Sequence, residues 1–346
     1  MRVFLTGGTG FIGRPLVQTL LGRGWSVTAL VRRPDSPAAA ALAKLGAQLA
    51  AGDVMEPESM RAAMRGADLV VHGAGIYEFG LDGAAKKRMH AVNVEGTQNV
   101  LELAQALTVP RTIYVSTQAA FGETGPEARD ETFTRQAPYH SAYEQSKTEA
   151  HAIARQFQER GLPLIIVCPN PVIGVNDHSQ WGYSLRLYVN RLLPPMAWGP
   201  DSILCCEDVH DVAEGITLAA EKGRLGETYL LAGEPHTFRQ IFAWWSKRPG
   251  GFAPRIWLPA WLMEALVAPL EPVQRWLGLP AFLSRETVRS GTNWNFSGAK
   301  AKRELGWTPR PAETLWLAAV EGEIDLLAKR KGQSLIERLR PLEGVD

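Results

Sequence analysis

The sequence is poor in cysteine and holds no paired histidines. Its three cysteines are Cys168, Cys205 and Cys206, and the adjacent pair suits neither a disulfide framework nor the spacing of zinc ligands. We therefore expect a reduced, cytoplasmic setting for the protein. The seven histidines are scattered, without an H-x-x-x-H pair, and this predicts that the protein binds no metal ion.

A strong charge of either sign is also missing. The 346 residues include 37 lysines and arginines against 36 aspartates and glutamates, which leaves no electrostatic case for binding nucleic acid or an anionic membrane. The first residues, MRVFLTGG, hold only three consecutive apolar residues after Arg2, too few for the core of a signal peptide. This opening instead predicts a β-strand.

Short apolar runs alternate with helical patterns through the first half of the chain. Six runs between residues 2 and 170 predict strands that are covered on both faces: RVFL, SVTALV, AQLAAGD, DLVVHGA, RTIYVS and LPLIIVCP. Strand and helix in alternation predict right-handed crossovers and a parallel sheet. The expected fold class is α/β, with a Rossmann-type doubly wound parallel sheet and a smaller, mainly helical C-terminal substrate lobe.

The alternation of apolar runs and helical patterns stops after Pro169. The next residues look loop-like, and one further helix and strand follow in EDVHDVAEGITLAAEKG and ETYLLAG. The last residues are rich in charge and predict an exposed helical tail. The predicted division is residues 1–170, completed by a unit at about 203–233, for the first domain, 171–202 and 234–325 for the substrate lobe, and 326–346 for the tail.

A glycine cluster lies between the first strand and the first helix, in TGGTGFIG. Gly8, Gly10 and Gly13 satisfy the pattern G-x-G-x-x-G. Gly7, Gly10 and Gly13 satisfy the wider pattern G-x-x-G-x-x-G. Glycine lets the backbone turn tightly and approach a pyrophosphate, while the helix N-terminus supplies free N–H groups and a partial positive charge. Between a strand and a helix, this cluster predicts a dinucleotide site. A plain glycine-rich turn is the alternative.

Two arginines follow the second predicted strand, in TALVRRP. A carboxylate at this point would bind the ribose 2′-hydroxyl of NAD, whereas a guanidinium suits the 2′-phosphate of NADP. Arg32 and Arg33 stand there, so NADP (NADPH) is the predicted cofactor and NAD is less favoured. Two ordinary surface arginines are the alternative.

Tyr143 and Lys147 lie one helical turn apart in YEQSK, so their side chains would share one face of a helix. A phenol has a pKa of about 10, and a nearby cation favours the phenolate and brings that pKa towards neutral. Tyr143 could then exchange a proton with a substrate oxygen while hydride moves to or from a nicotinamide. Tyr139 has no such lysine. A solvated helix face is the alternative interpretation.

These features resemble the extended short-chain dehydrogenase/reductase family, within the NAD(P)-dependent epimerase/dehydratase superfamily. The similarity covers roughly residues 2–320. Its motifs are specific for the family and say little about the substrate. They are TGGTGFIG, GDV at 52–54, HGAG at 72–75, NVEGTQNV at 93–100, YVSTQAAFG at 114–122, YEQSK at 143–147 and KAKRELGWTPR near the C-terminus.

The resemblance implies roles for further residues. Thr117 stands where the family usually carries a serine, and its hydroxyl can make the same hydrogen bond to a substrate oxygen. Ser116 is the fallback, although it would point to the opposite face of a strand end. Lys147 would also hold the nicotinamide ribose. The predicted catalytic residues are thus Thr117, Tyr143 and Lys147. The predicted cofactor contacts, besides Arg32, Arg33, Tyr143 and Lys147, are Thr6, Gly7, Gly10, Phe11, Ile12, Gly13, Asp53, Val54, Ala74, Gly75, Asn93, Pro169 and Val172.

Within the family, the residues favour a reductase. Gln118 and Ala119 follow Thr117, where the dehydratases of the family place acidic residues. Its epimerases often show N-x-x-G after the sixth strand, whereas this chain has N-P-V-I-G. LVRRP and CPNPVIG look more like the dihydroflavonol-reductase and 3β-hydroxysteroid-dehydrogenase branch. We expect an NADPH-dependent carbonyl reductase or alcohol dehydrogenase. A nucleotide-sugar epimerase and a non-catalytic NADP-binding sensor are the alternatives.

The stretch 255–283 bears on the substrate. It is rich in Trp and Leu and could line a pocket for an apolar or aromatic small molecule, although packing of the lobe against the sheet explains it equally well. Its prolines and charges argue against a transmembrane segment. A homodimer is compatible with these observations.

Overall fold

The computed structural model of the protein describes residues 1–81, 83–272 and 284–342. The strands are β1 (Arg2–Thr6), β2 (Ser26–Val31), β3 (Gln48–Ala51), β4 (Leu69–His72), β5 (Thr112–Val115), β6 (Gly125–Arg129), β7 (Leu164–Pro169), β8 (Val172–Ile173), β9 (Met196–Trp198), β10 (Ile203–Leu204), β11 (Glu207–Asp208), β12 (Thr228–Leu231), β13 (His236–Thr237), β14 (Ile256–Leu258) and β15 (Trp294–Phe296). The helices are α1 (Gly13–Gly22), α2 (Pro37–Leu45), α3 (Pro57–Met64), α4 (Gly83–Ala106), α5 (Ala142–Glu159), α6 (Gln180–Val189), α7 (Val209–Lys222), α8 (Phe238–Trp245), α9 (Ala260–Val267), α10 (Arg285–Arg289), α11 (Ala299–Leu305), α12 (Ala312–Lys329) and α13 (Leu335–Leu339).

The main sheet has seven strands in the order β12-β7-β5-β4-β1-β2-β3, and every neighbouring pair is parallel. All seven strands that the apolar runs predict are present, and the predicted α/β fold is confirmed. The order reverses between β1 and β4, so the loops after these two strands diverge and leave a crevice at the carboxyl edge of the sheet.

Both faces of the sheet are buried, which explains the continuous apolar runs. Successive strand residues enter opposite core clusters: Phe4 and Val70 lie in one, and Leu5 and Val71 lie in the other. Helices α4 and α5 cover the first face, while α1 and α7 cover the second. The strands therefore read as hydrophobic throughout instead of alternating with polar residues.

The C-terminal lobe is built around α6, α8 and α12, which pack on one another. Three tryptophans form its centre: the ring centroid of Trp316 lies 5.3 Å from that of Trp181 and 5.7 Å from that of Trp245. The Tyr188 hydroxyl donates to the carbonyl oxygen of Trp245 over 2.8 Å. Aromatic burial on this scale supplies much of the packing energy of a small lobe.

The segment after Pro169 differs from the loop that the sequence suggested. Residues 171–202 are not a loop, because they contain β8, α6 and β9. The Ser179 hydroxyl caps α6 by accepting from the Trp181 N–H, and Pro194, Pro195 and Pro200 lie beyond the helix, where they do not interrupt it. Helix α11, within the segment predicted as substrate lobe, packs on α7 and β12.

The charged tail is anchored and only partly helical. Helix α12 ends at Lys329 and the short α13 is exposed, as predicted. The Arg330 guanidinium, however, is buried and donates to the carbonyl oxygens of Glu337, Arg338 and Arg340. Arg186 of α6 donates likewise to that of Leu339 over 2.9 Å. Carbonyls of an irregular segment thus satisfy two buried guanidiniums, which holds the tail on the lobe.

Candidate active site

The glycine loop joins β1 to α1 at the crevice. Gly7 has a φ of +81°, and a Cβ atom there would lie 2.5 Å from the carbonyl carbon of Gly73. A Cβ at Gly13 would lie 2.1 Å from the Gly7 carbonyl oxygen. No side chain caps α1, so its first N–H groups remain for a ligand. The cradle is the kind that a dinucleotide pyrophosphate fits.

His72, at the end of β4, holds the neighbouring turn in place through a chain of hydrogen bonds. The Thr97 hydroxyl donates to the Asn93 carbonyl over 2.6 Å, so Thr97 accepts from His72 Nε2 over 3.0 Å. His72 Nδ1 then accepts from the Thr6 hydroxyl over 2.7 Å, whose oxygen accepts from the Ala74 N–H. Burial lowers the pKa of His72 to about 3, which keeps this neutral tautomer. Sequence reasoning missed His72, although its place in HGAG was a signal.

Asn93 braces the same turn from α4. Its Oδ1 accepts from the Ile76 N–H over 2.7 Å, and its Nδ2 donates to the Ile76 carbonyl and to the Ser146 hydroxyl, each over 3.0 Å. Both amide hydrogens are therefore used inside the protein. Asn93, predicted as a cofactor contact, lies behind the turn and ties it to α5.

Thr117, Tyr143 and Lys147 come together where β5 ends beside α5. Interaction with the Thr117 hydroxyl lowers the pKa of the Tyr143 phenol, and Lys147 Nζ donates to the Tyr114 hydroxyl and to the Val115 carbonyl, each over 3.2 Å. Ser116 points the other way and bonds to His151 Nδ1 over 2.9 Å. Thr117 lies in the cavity wall on the side of Tyr143, while the fallback residue, Ser116, is buried and bonded to His151.

The charge balance at Tyr143 differs from the expectation. Burial raises the pKa of the phenol, while the Lys147 charge and the Thr117 hydrogen bond lower it, and the net shift of the pKa is upward. Burial lowers the pKa of Lys147, and Tyr143 opposes that shift. The Lys147 charge lowers the pKa of Tyr143, as predicted. Desolvation of the phenolate raises that pKa by more.

A buried ion pair braces the start of α5, and sequence reasoning missed it. Arg135 Nη1 lies 3.1 Å from the Glu144 carboxylate, and Arg135 Nη2 donates to the Ala119 carbonyl. The Ser141 hydroxyl caps α5 by accepting from the Glu144 N–H over 3.2 Å. Arg135 therefore links the turn after Thr117 to the first turn of the helix that carries Tyr143.

The residues predicted to contact the adenosine half lie at the far side of the crevice. Arg32 and Arg33 are exposed directly after β2. The Asp53 carboxylate accepts from the Met55 N–H over 3.0 Å, and Val54 is buried. Arginines in this position would reach a phosphate on the adenosine ribose without moving the sheet.

A cavity of about 720 Å³ joins the glycine loop to the C-terminal lobe. Its lobe side includes Trp181, Trp198, Phe238 and Phe242. Gln118 also lies in the wall, next to Thr117. The predicted residues in the wall are Gly7, Gly10, Phe11, Ile12, Gly13, Gly75, Thr117, Tyr143, Lys147, Pro169 and Val172. Those outside it are Thr6, Arg32, Arg33, Asp53, Val54, Ala74 and Asn93.

The Trp/Leu-rich stretch contributes to this cavity through α9 and the turn after it. Met263, Leu266, Val267 and Leu270 line the wall, so the pocket interpretation of the stretch has direct support in the structure. The rest of the predicted stretch, residues 273–283, lies outside the described residues. Within the described ranges, no helix is long and apolar enough to cross a bilayer, and no group of three or more His, Cys, Asp or Glu side chains is placed to bind a metal.

Curated relatives match the chain over most of its length. A Synechocystis protein that carries the name dihydroflavonol 4-reductase is 33% identical, covering 88% of this chain and 89% of its own. A 4-hydroxy-2-methyl-3-oxo-4-farnesyl-3,4-dihydroquinoline-1-oxide ketoreductase of Stigmatella aurantiaca is 30% identical, with 90% and 92% covered. A 3β-hydroxysteroid dehydrogenase/Δ5→4-isomerase of Mycobacterium tuberculosis is 27% identical, with 89% and 86% covered. The chain is thus similar to named oxidoreductases of both branches expected from its motifs.

Solved structures agree with the fold. The crystal structure of gox2253 superposes with a TM-score of 0.78 at 31% identity, covering 94% of this chain and 98% of that one. A nucleoside-diphosphate-sugar epimerase from Pseudomonas aeruginosa superposes with a TM-score of 0.75 at 21% identity, also with 94% and 98% covered; at that identity the likeness concerns the fold alone. The profile of the NAD dependent epimerase/dehydratase family matches residues 3–232, and the chain belongs to this family, whose members here include dihydroflavonol reductase and hydroxysteroid dehydrogenase relatives.

Proposed function

We propose that the protein is an NADPH-dependent reductase of ketones with an apolar or aromatic body, or in the reverse direction a dehydrogenase of the matching secondary alcohols. One observation carries the proposal: Thr117, Tyr143 and Lys147 meet at the wall of a cavity whose lobe side is largely apolar. A proton donor beside an apolar cavity and a dinucleotide cradle suits reduction of a carbonyl.

Each side chain of the site has a separate role in the proposed reduction. When bound, NADPH supplies the hydride for the carbonyl carbon. Thr117 donates a hydrogen bond to the carbonyl oxygen, and Tyr143 gives its phenolic proton to the same oxygen. Lys147, whose charge lowers the pKa of Tyr143, stabilises the phenolate that remains. The rings of Tyr77 and Phe79, with centroids 4.8 and 6.1 Å from that of Tyr143, shield the phenol from water.

NADP is the proposed form of the cofactor because of the charge at the end of β2. Arg32 and Arg33 are exposed there, and neither guanidinium has a carboxylate partner among the described residues. Two uncompensated guanidiniums favour a 2′-phosphate over a 2′-hydroxyl.

The composition of the cavity wall supports an apolar substrate over a nucleotide sugar. A diphosphate needs basic or main-chain donors, yet Lys147 is the only lysine or arginine among the described lining residues. Arg285 and Arg289 lie near the lobe side, but Glu271 and Glu264 neutralise them at 3.1 and 2.9 Å. An apolar substrate gains about 25 cal/mol for each Å² that it buries against such a wall.

The test is a turnover screen of cyclic and aryl ketones with NADPH and NADH, using the unmodified protein and Tyr143→Phe. We expect NADPH oxidation with at least one ketone. Tyr143→Phe should lose about two to four orders of magnitude in kcat, because only the transferable proton is removed, while NADPH binding by calorimetry stays within a few fold. Tyr139→Phe, which alters an exposed tyrosine of the same segment, is the matched control.

Three outcomes would overturn the proposal. Near-normal kcat in Tyr143→Phe would mean that this phenol is not the proton donor. Micromolar binding of a UDP- or dTDP-sugar with detectable C4 epimerisation would instead establish the epimerase. Cofactor binding without turnover of any carbonyl would favour the sensor, although the intact Tyr143–Lys147 pair argues against it.

A further inference from the structure

An apolar surface surrounds one side of the cavity, and we call it the mouth face: Leu192, Met196, Phe252, Ile256, Trp261 and Leu266. Phe252 is 73% exposed, Trp261 69% and Ile256 50%. Large apolar side chains that cluster at such exposure mark an interaction site more often than chance placement.

Secondary structure makes the mouth face continuous. Ile256 of β14 pairs with Met196 of β9, and α9, which carries Trp261 and Leu266, packs on β9. The Gly251 N–H donates to the Tyr188 carbonyl over 2.8 Å, which fixes the Phe252 loop beside the end of α6. Strand, helix and loop therefore present their apolar side chains together.

The mouth face is also continuous with the cavity. Met196 and Leu266 are exposed at the surface and line the cavity as well, and Leu270 does the same one turn further on. An apolar molecule that leaves a hydrophobic phase at this face would meet apolar side chains all the way to Tyr143.

The charges around the mouth face are uneven in sign. Glu264 and Glu271, on the α9 side, are each paired with an arginine, as described above. Arg191 and Arg255 have no carboxylate partner within the described part of the chain; Arg255 stacks on Phe252 with its guanidinium carbon 5.3 Å from the ring centroid. The rim is therefore basic, although the whole chain is nearly neutral.

The backbone conformation of Arg191 is unusual for a residue with a side chain. It holds a φ of +62° at the turn that ends α6, a conformation that glycine adopts at less cost. The positive φ makes Arg191→Gly a substitution that the backbone tolerates while the charge is removed.

From the exposed apolar side chains, the basic rim and the cavity opening, we propose that the mouth face docks on an anionic phospholipid bilayer. Trp261 and Phe252 enter the boundary between headgroups and acyl chains, and Arg191 and Arg255 contact the lipid phosphates. The protein lies on the bilayer and does not cross it. The purpose of docking, direct transfer of an apolar ketone from the lipid, rests on the proposed function; docking itself does not.

The test is co-flotation of the full-length protein with vesicles of phosphatidylcholine alone and of phosphatidylcholine with phosphatidylglycerol, without substrate. We expect binding to the anionic vesicles that weakens as salt is added. Trp261→Ser and Phe252→Ser should each lose most of the binding. Arg191→Gly should weaken it by about fivefold, while its melting temperature stays equal or rises.

Ile336→Ser is the matched control, because Ile336 is 65% exposed on α13, a helix that carries none of the mouth-face residues, and should bind as the unmodified protein does. Vesicle binding that the three mouth-face variants leave unchanged would overturn the proposal. So would a concentration-dependent dimer that Trp261→Ser abolishes, without vesicle binding, since a second copy would then cover the face. Vesicle binding with no turnover of any ketone would reject the proposed function and leave the docking intact.

Discussion

The choice between Thr117 and Ser116 depends on the direction in which each side chain leaves the end of β5. Neighbouring residues of an extended segment project to opposite faces, and the structure sends Ser116 to His151 and Thr117 towards Tyr143. The Thr117 hydroxyl also accepts from the Ala119 N–H over 3.2 Å, which fixes the oxygen near the phenol. A difference of one residue thus separates a hydroxyl in the core from one in the site.

At the same scale, we predict that Arg32→Asp reverses the preference between the two cofactors. The carboxylate would repel the 2′-phosphate and accept from the ribose hydroxyls of NAD, so NADPH affinity should fall by about tenfold or more. Calorimetric titration of both cofactors measures the change. Arg65→Asp, at an exposed arginine just before β4 and hence at the opposite edge of the parallel sheet, should leave both affinities unchanged. Equal affinities of the unmodified protein for NADPH and NADH would contradict the assignment.

At the scale of elements, the site depends on how β5 and α5 are held together. Neither element contains all of the chemistry, since Thr117 follows the strand and Tyr143 and Lys147 lie on the helix. Arg135 bridges the two through the Ala119 carbonyl and the Glu144 carboxylate. Because both charged side chains are buried, the bridge is strong only while both partners are present.

We therefore predict that Arg135→Met destabilises the protein by about 3 kcal/mol, because it leaves the Glu144 carboxylate buried without its cation. Glu144→Gln should cost less, and the double variant should be more stable than Arg135→Met alone. Urea unfolding of the unmodified protein, the two single variants and the double variant gives the four free energies of unfolding from which the coupling of the pair is calculated. Additive losses would show that the pair is not coupled. Lower kcat at unchanged NADPH affinity in Arg135→Met would show that the bridge positions Tyr143.

At the scale of the whole molecule, buried histidines tie stability to pH. His236 joins β13 to α12: its Nδ1 donates to the Glu234 carbonyl over 2.8 Å, and its Nε2 accepts from Trp316 Nε1 over 3.0 Å. Burial lowers the pKa of His236 to about 4. Below its unfolded pKa of about 6.5, the unfolded chain takes up a proton that the folded protein refuses, so this contribution to stability falls as the pH falls.

We predict that the His236 contribution costs about 2 kcal/mol of unfolding free energy between pH 7.5 and pH 5. Asp177 acts in the opposite direction, since burial raises its pKa to about 6. The whole-protein slope therefore mixes several groups, and the informative comparison is with His236→Gln. That variant should be less stable at pH 7.5 and lose less stability on acidification. Parallel pH profiles for the two proteins would refute this role of His236.

Much of the fold was predictable because it depends on local patterns. Apolar runs such as LIIVCP are long enough to indicate strands buried on both faces, and close backbone approach explains the glycines at 7 and 13. The spacing of Tyr143 and Lys147 follows from helical geometry alone. Helix α6 was missed because the prolines that follow it are typical of a loop. Its N-terminus is marked in the sequence by one capping residue, Ser179, which is a weak indication of a helix.

The sequence by itself determined the succession of the seven sheet strands, the glycine loop and the Tyr143–Lys147 pair, since each depends on residues close together in the chain. Only the tertiary structure decided that Asn93 is a brace, that Arg135 joins β5 to α5 and that burial raises the pKa of Tyr143. The mouth face likewise combines α6, β9, β14 and α9. Burial, hydrogen-bond partners and surface charge arise from segments distant in the chain, so no local pattern specifies them.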